Sequence, residues 1–391
     1  MRIGAAFLAD PALRRVVSAL ESGGYRGLVV GGAVRNAVLR QPVGDVDIAT
    51  DAPPGRITEL AQGAGLKTVP TGIAHGTVTV IAGGTPFEVT TFRRDVETDG
   101  RRAVVAFSDR IEDDAARRDF TMNALYATLS GEVLDPVGGW PDLRRRELRF
   151  VGDPTARIRE DYLRILRFFR FLAWYAHRSA PGTLEAVCAE RAGLARVSAE
   201  RIGAEMRKLL AAPDPAPVLD LMARVGVLGQ ILPGADPGFV APLVQAETAH
   251  AIAPDWRRRL FALGPDGAAQ SLRLSRAEAN YLRDLHAATA HTLPEAAYRH
   301  GAQIARDLAL IRQARGAPPP PSPPGPGWPH EIARAAAAAL PVAASDLMPH
   351  LSGPELGRGL KAAEDLWIAS DFSAPRAALI DAARRAGKEN A

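Results

Sequence analysis

Gly31-Gly32-Ala33-Val34-Arg35-Asn36, then Gly44-Asp45-Val46-Asp47-Ile48-Ala49-Thr50, is the stretch on which the reading of this chain turns. The run Gly27-Leu28-Val29-Val30 before it reads as a short buried strand, and Ala33 to Leu39 as a helix entered through the Gly-Gly turn. A second strand is expected over Asp45 to Ala49. Side chains alternate across a strand, so Asp45 and Asp47 would share one face while Val46 and Ile48 enter a core. Two carboxylates held side by side by rigid backbone suit a hard divalent cation. Mg²⁺ takes oxygen ligands and keeps room for waters and phosphates, which points to metal-assisted phosphoryl or nucleotidyl transfer. Gly31 and Gly32 let backbone approach phosphate oxygens, and Arg35 adds a fork of donors at the helix start. Singly, a Gly-Gly pair is a turn and an Asp-x-Asp is capping chemistry; in this order and spacing they favour a site.

Outward from that stretch, Asp51-Ala52-Pro53-Pro54 reads as a helix start with Asp51 as cap and proline in the first turn. Gly76 to Ile81 and Phe87 to Phe92 flank Gly83-Gly84, a hairpin signal. Glu88, on the second of these strands, is placed to be a third carboxylate beside the aspartate strand, with an exposed strand residue as the plainer alternative. Arg118 and Asp119, in Arg117-Arg118-Asp119-Phe120-Thr121, could grip a phosphate and a ribose hydroxyl, or simply charge a helix start. From Arg157 onward Ile158, Tyr162, Ile165, Leu166 and Phe169 recur at helical spacing. On one helix, Asp161, Arg164, Arg167 and Arg170 fall near one face. Such a face is either a solvated ion-pair ladder or a reader of bases. A carboxylate acceptor beside a guanidinium donor complements the edge of cytosine or adenine, not that of uracil or guanine.

The chain has 391 residues, 47% hydrophobic, enough for two or three domains with real cores. It holds no run of about 18 apolar residues, and its first residues make no convincing signal peptide, so a soluble cytoplasmic protein with no membrane partner is expected. A single cysteine, Cys188, excludes an intrachain disulfide and a cysteine-based zinc cluster, and is expected to be a buried bystander. The net charge is only +4, but Pro141 to Leu210 carries 15 Lys and Arg against 9 Asp and Glu. That concentration suits an RNA backbone or a triphosphate, and equally a solvated helical face. Ala211 to Pro217 and the proline-rich run Ala317 to Gly327 read as breaks, the second as an extended loop. The expected architecture is an α/β head with a small mixed sheet, followed by an all-α remainder.

In its motifs the chain resembles the class II tRNA nucleotidyltransferases (CCA-adding enzymes), a family that also contains bacterial poly(A) polymerases. The resemblance runs through Leu28 to Arg35, Gly44 to Thr50, His75-Gly76-Thr77-Val78, Glu88 to Arg93, Arg117 to Thr121, Asp135-Pro136-Val137-Gly138-Gly139 and Glu160-Asp161-Tyr162-Leu163-Arg164. It continues more faintly through Arg196 to Ile202 and Gly353 to Gly357. The resemblance implies a nucleotidyltransferase head over 1–150, a helical neck over 151–212 that carries an amino-acid template, a helical body over 213–316 and an RNA-binding tail over 328–391. Asp45 and Asp47 would hold the metals, with Glu88 supporting; Gly31, Gly32 and Arg35 would face the triphosphate. Arg118 and Asp119 would grip the nucleotide, Asp161 and Arg164 would pair with CTP or ATP, Glu160 would steady them, and Arg167 and Arg170 would extend the nucleotide site. Mg²⁺ is the implied cofactor, and the implied partners are CTP, ATP and the tRNA 3′ acceptor end. Asn36 departs from the family's usual aspartate. Asp99-Gly100-Arg101-Arg102 resembles a loop used for the final adenosine, which disfavours an enzyme that adds only C. The Ala-rich, nearly charge-balanced tail favours the tRNA enzyme over a poly(A) polymerase, and the intact aspartate pair disfavours an inactive RNA-binding protein.

Overall fold

The computed structural model describes residues 1–99, 102–316 and 327–388. Most of the proline-rich run and the centre of the Asp99 to Arg102 loop therefore lie outside the described residues. The chain divides into two compact units, Met1–Ile231 and Leu232–Ala391. No described helix is long and apolar enough to cross a membrane.

The first unit opens with α1 (Pro11–Ser22), whose N-terminus is capped by Asp10 accepting from the Ala12 amide. There follow β1 (Leu28–Val30), α2 (Gly32–Leu39), β2 (Asp47–Thr50), α3 (Pro54–Gly63), β3 (Lys67–Gly72), β4 (Thr77–Ala82) and β5 (Thr85–Thr91). The hairpin β6 (Arg93–Asp99) and β7 (Arg102–Phe107) stands apart; α4 (Ile111–Ala116), β8 (Tyr126–Ala127) and β9 (Val133–Leu134) complete the sheet region. Seven strands pair in the order β3-β4-β5-β2-β1-β8-β9. Within this sheet only β2 and β5 run parallel, and their register pairs Ile48 with Val89. The β4–β5 hairpin turns at Gly83 and Gly84, both with positive φ, as a tight two-residue turn requires. Along β4, Val78, Val80 and Ala82 are buried in alternation, the signature of a sheet covered on one face, here by α1 and α3. A second cluster around Leu28, Val30, Phe92 and Tyr126 fills the other side.

Beyond α5 (Gly139–Arg144) and β10 (Glu147–Leu148) the chain turns helical: α6 (Pro154–Glu160), α7 (Leu163–Tyr175), α8 (Thr183–Glu190) and α9 (Ala199–Leu210). A two-residue strand, β11 (Arg178–Ser179), interrupts them by pairing in parallel with β10. Asp153 caps α6 and Pro154 starts it. The sheet region and α7 are joined by an aromatic pile. The Phe120 ring lies 4.8 Å from Phe150 and 5.0 Å from Phe171, and Phe150 stacks on Phe168 at 6.5 Å. Each such ring contributes about 1.5–3 kcal/mol by burial, so the charged face of α7 is held rigidly over the sheet.

Four local expectations change. Asp45 lies outside β2, which begins at Asp47. Asp51 does not cap α3; Pro53 occupies the cap position, and the Asp51 carboxylate instead accepts from the Arg26 amide and guanidinium at 2.8 and 3.0 Å. The single helix expected through Asp161 is two, because Asp161 is extended (φ −155°, ψ 102°) and α7 starts only at Leu163. Cys188 is half-buried.

The second unit is helical throughout its described residues. Its main core gathers around Leu285, Leu308, Ile311 and Trp328, and a smaller one around Leu347, Leu351 and Leu379. Arg258 and Arg259 are fully buried beside the first core, their guanidiniums held by Glu247 and Asp307.

Candidate active site

Gly31 makes the turn from β1 into α2 with φ +69°, where a side chain is strained, and a Cβ there would stand 3.4 Å from the Arg118 guanidinium. The turn thus brings bare backbone against a cation. Arg35, one helical turn on, is 7% exposed and has amide rather than carboxylate partners: it donates to Oδ1 of Asn36 (2.9 Å) and Oδ1 of Asn123 (2.6 Å) and lies on the Tyr175 ring at 3.8 Å. Burial lowers its pKa. Asn36, where the family carries aspartate, keeps its grip through its amide and donates in turn to the Pro42 carbonyl.

The carboxylates meet across the parallel pair. With Ile48 opposite Val89, the preceding residues Asp47 and Glu88 fall side by side on one face. Partial desolvation and the negative charges of Glu88 and Asp45 raise the Asp47 pKa, with Arg118 opposing. Carboxylates crowded in this way favour a cation between them. Their oxygens are the donors a hard divalent ion takes. Among the described residues no group of three or more His, Cys, Asp or Glu is gathered closely enough to hold a metal, so further ligands would come from water and substrate.

Arg118 is fixed by neighbours the sequence did not single out, and Asp119 by Arg167 together with one more such neighbour, Asn123. The Arg118 guanidinium donates to Asp114 (2.8 Å) and to the Tyr126 hydroxyl (3.1 Å). Burial alone would raise the Asp114 carboxyl, but Arg118, Arg117 and the Tyr126 hydroxyl overcome it and hold its pKa at about 2. Asp119 is buried, which would raise its carboxyl; Arg167 (2.5 Å) and the Asn123 amide (2.9 Å) outweigh this and lower it. Asn123 therefore bridges Arg35 to Asp119, tying the Gly-Gly turn to the neck.

At the helix break, Arg164 donates to Glu160 (2.6 Å) and to the Arg157 carbonyl (2.7 Å). Asp161 pairs not with Arg164 but with Arg201 of α9, at 2.7 Å. Its other oxygen accepts from the amide of Leu163, the first residue of α7, at 3.2 Å. Tyr162 completes the break by lying flat against Gly193, where a Cβ would be 2.0 Å from its ring.

These pieces line one cavity of about 430 Å³. Of the expected residues, Gly31, Gly32, Arg35, Asp47, Arg118, Asp119, Asp161, Arg164 and Arg167 line it. Asp45, Glu88 and Glu160 do not line it, and Arg170 turns away to Glu205 at 2.6 Å. Sequence reasoning missed Arg117, Asn123, Leu163, Phe171 and Arg201. Of these, Arg117 and Leu163 sat within motifs quoted and Arg201 within a fainter one. Six arginines and three aspartates line the space; Asp114 and Glu160, outside the lining, hold Arg117, Arg118 and Arg164, so the cavity presents fixed guanidinium donors of the kind a polyphosphate accepts from.

A mixed sheet bearing paired carboxylates, joined to a charged helical neck, defines a nucleotidyltransferase-type head and neck. Residues 28–149 match the family described as the Poly A polymerase head domain, and residues 180–239 match that described as the probable RNA and SrmB-binding site of polymerase A. Over these two segments the chain is similar to the tRNA nucleotidyltransferases and bacterial poly(A) polymerases. It is 42% identical over 221 residues to a CCA-adding enzyme of Geobacillus thermodenitrificans, covering 56% of this chain and 54% of that one. It is 39% identical over 274 residues to the mitochondrial CCA tRNA nucleotidyltransferase 1 of Danio rerio, covering 66% and 63%. The crystal structure of the Bacillus stearothermophilus CCA-adding enzyme in complex with CTP has a TM-score of 0.75 and 28% identity, over 98% of this chain and 100% of that one. The chain thus spans about half the length of the first of these curated relatives, 54%. Nucleotidyltransferases of this family use divalent metal ions.

Proposed function

We propose that this chain adds C, C and A from CTP and ATP to the 3′ end of tRNA and releases pyrophosphate. One observation carries the reading: Asp47, the Gly31-Gly32 turn, and the Asp161 and Arg164 pair at the helix break all face one cavity. Asp45 and Asp47 would hold two Mg²⁺ ions, with Glu88 supporting. Bound there, the ions would supply Lewis-acid activation of the terminal 3′ hydroxyl and neutralise charge on the leaving group. The chain's own groups do the rest. Gly31 and Gly32 present backbone to the triphosphate, and Arg35 and Arg118 present guanidiniums to it. Asp119 and Arg167 bound the nucleotide on the neck side. Asp161 accepts from the exocyclic amine of cytosine or adenine while Arg164 donates to the ring nitrogen; uracil and guanine offer the wrong partners to both. With Arg201 and Glu160 holding these side chains, the selection needs no nucleic-acid template. Head, neck, body and tail are proposed over 1–150, 151–212, 213–316 and 328–391, with the tail on RNA and the protein in the cytoplasm.

The test is a tRNA lacking its 3′ end, given CTP and ATP together and separately. Addition of C, C and A followed by a stop supports the reading. An open-ended ladder of A replaces it with poly(A) polymerase activity, and no addition leaves a protein that only binds RNA.

A further inference from the structure

At the opposite end of α2 from the Gly-Gly turn lies a second cavity, about 560 Å³, lined by Arg2, Arg40, Trp140, Arg144 and Arg146 among others. The helix between the two is eight residues long, about 10 Å. No acidic side chain lines this cavity. Its four guanidiniums have no carboxylate partner among the described residues; the one contact recorded for them is Arg2 on the Ser130 carbonyl at 3.5 Å. The acid nearest in sequence on α5, Asp142, is already taken by Arg145 (3.3 Å) and Arg149 (3.0 Å), so Arg144 is left uncompensated.

Two of these arginines also stand where a side chain is unfavourable. Arg40 closes α2 with φ 55° and Arg146 follows α5 with φ 50°. Glycine would hold either turn with less strain. Trp140 lines the same cavity, and its backbone amide is fixed by Asp135 at 2.9 Å. Uncompensated guanidiniums beside an indole match a phosphodiester chain with a base to stack, rather than an apolar or a cationic ligand.

We propose that this cavity is a second RNA-binding site, in which Arg2, Arg40, Arg144 and Arg146 hold backbone phosphates and Trp140 stacks a base, apart from the site of nucleotide addition. It rests on the reading of the chain as one that acts on RNA. The site anchors the RNA and takes no part in selecting or joining the nucleotide.

The decisive comparison is between the unaltered full chain, the exposed double variant Arg40→Gln/Arg144→Gln, and the charge-keeping Arg40→Lys/Arg144→Lys. Binding of fluorescently labelled tRNA lacking its 3′ end is followed by anisotropy from 50 to 300 mM NaCl, alongside steady-state kinetics. The glutamine variant should bind about tenfold more weakly at 100 mM salt, with a slope of log Kd against log salt smaller by about 1.4–1.8, the share of two phosphate contacts. The lysine variant should keep the slope. KM for RNA should rise while KM for CTP and kcat at saturating RNA stay put. Unchanged RNA affinity and slope in the glutamine variant would overturn the site. So would a raised KM for CTP with RNA affinity unchanged, which would make it a free-nucleotide site. Because anisotropy needs no turnover, a chain that binds RNA but adds nothing would sink the catalytic reading and still report on this cavity.

Discussion

Both units of the molecule bury arginines, and they treat them in opposite ways. In the second unit Arg258 and Arg259, 1% and 0% exposed, are held inside the core by Glu247 and Asp307. Arg258 donates to Asp307 at 2.6 Å and to Glu247 at 2.7 Å, Arg259 to Glu247 at 2.6 Å, and the Tyr281 hydroxyl and the Gln303 amide complete the Asp307 shell. In the first unit six arginines and three aspartates surround a cavity. A network shut inside a core serves its own fold; one that opens on a cavity leaves guanidinium donors within reach of a ligand.

Breaking the two networks should therefore give different losses. The largest effect is expected from Asp47→Ala: nucleotide incorporation should fall by about a thousandfold or more, with tRNA affinity and thermal midpoint almost unchanged. Near-normal turnover would remove the carboxylate from the site. In the second unit, Asp307→Ala leaves Arg258 buried without its partner. It should cost about 3–5 kcal/mol, visible in calorimetry as a lower-melting unit. Equal melting of both proteins would make the network dispensable.

The contrast is sharpened by Arg201→Ala, which frees Asp161 without touching the cavity's glycines or Asp47. Discrimination of CTP against UTP should drop by about tenfold, the scale of one lost charged hydrogen bond. Competition assays on primed tRNA would read it, and an unchanged ratio would show that Asp161 needs no holding. A milder change is expected on acidification. Asp114 has a native pKa of about 2 against an ordinary 3.8, so its ionised form stabilises the first unit above about pH 4. That contribution, roughly 2 kcal/mol, is lost as the pH falls through about 2. Denaturation of Asp114→Asn across pH 5 to 2 should lack this limb; an identical acid limb in both proteins would assign it elsewhere.

Much of the first unit was legible because its signals are local. The Gly-Gly turn, the Gly83-Gly84 hairpin and the switch to helical periodicity near Arg157 each depend on neighbours in sequence, and each is found. The helix break was not legible. Asp161 suits a helix by spacing, and what accompanies its extended backbone is the approach of Tyr162 to Gly193 and its own pairing with Arg201, about thirty and forty residues away. Arg170 shows the converse: its three-residue spacing from Arg167 is real, yet Glu205 of α9 draws its side chain out of the cavity. Asn123 carried no recognisable signal, since an amide that bridges Arg35 and Asp119 is defined only by where those two side chains end.

The sequence by itself determined that carboxylates stand after a phosphate-shaped turn on a small mixed sheet, and that a basic helical segment follows, because glycine conformation, strand alternation and helical period act over a few residues. Tertiary structure alone decided which of those charges share a cavity. Ion pairs and ring stacks form between residues far apart in the chain, and the direction a guanidinium takes is set by the acid that packing brings to it.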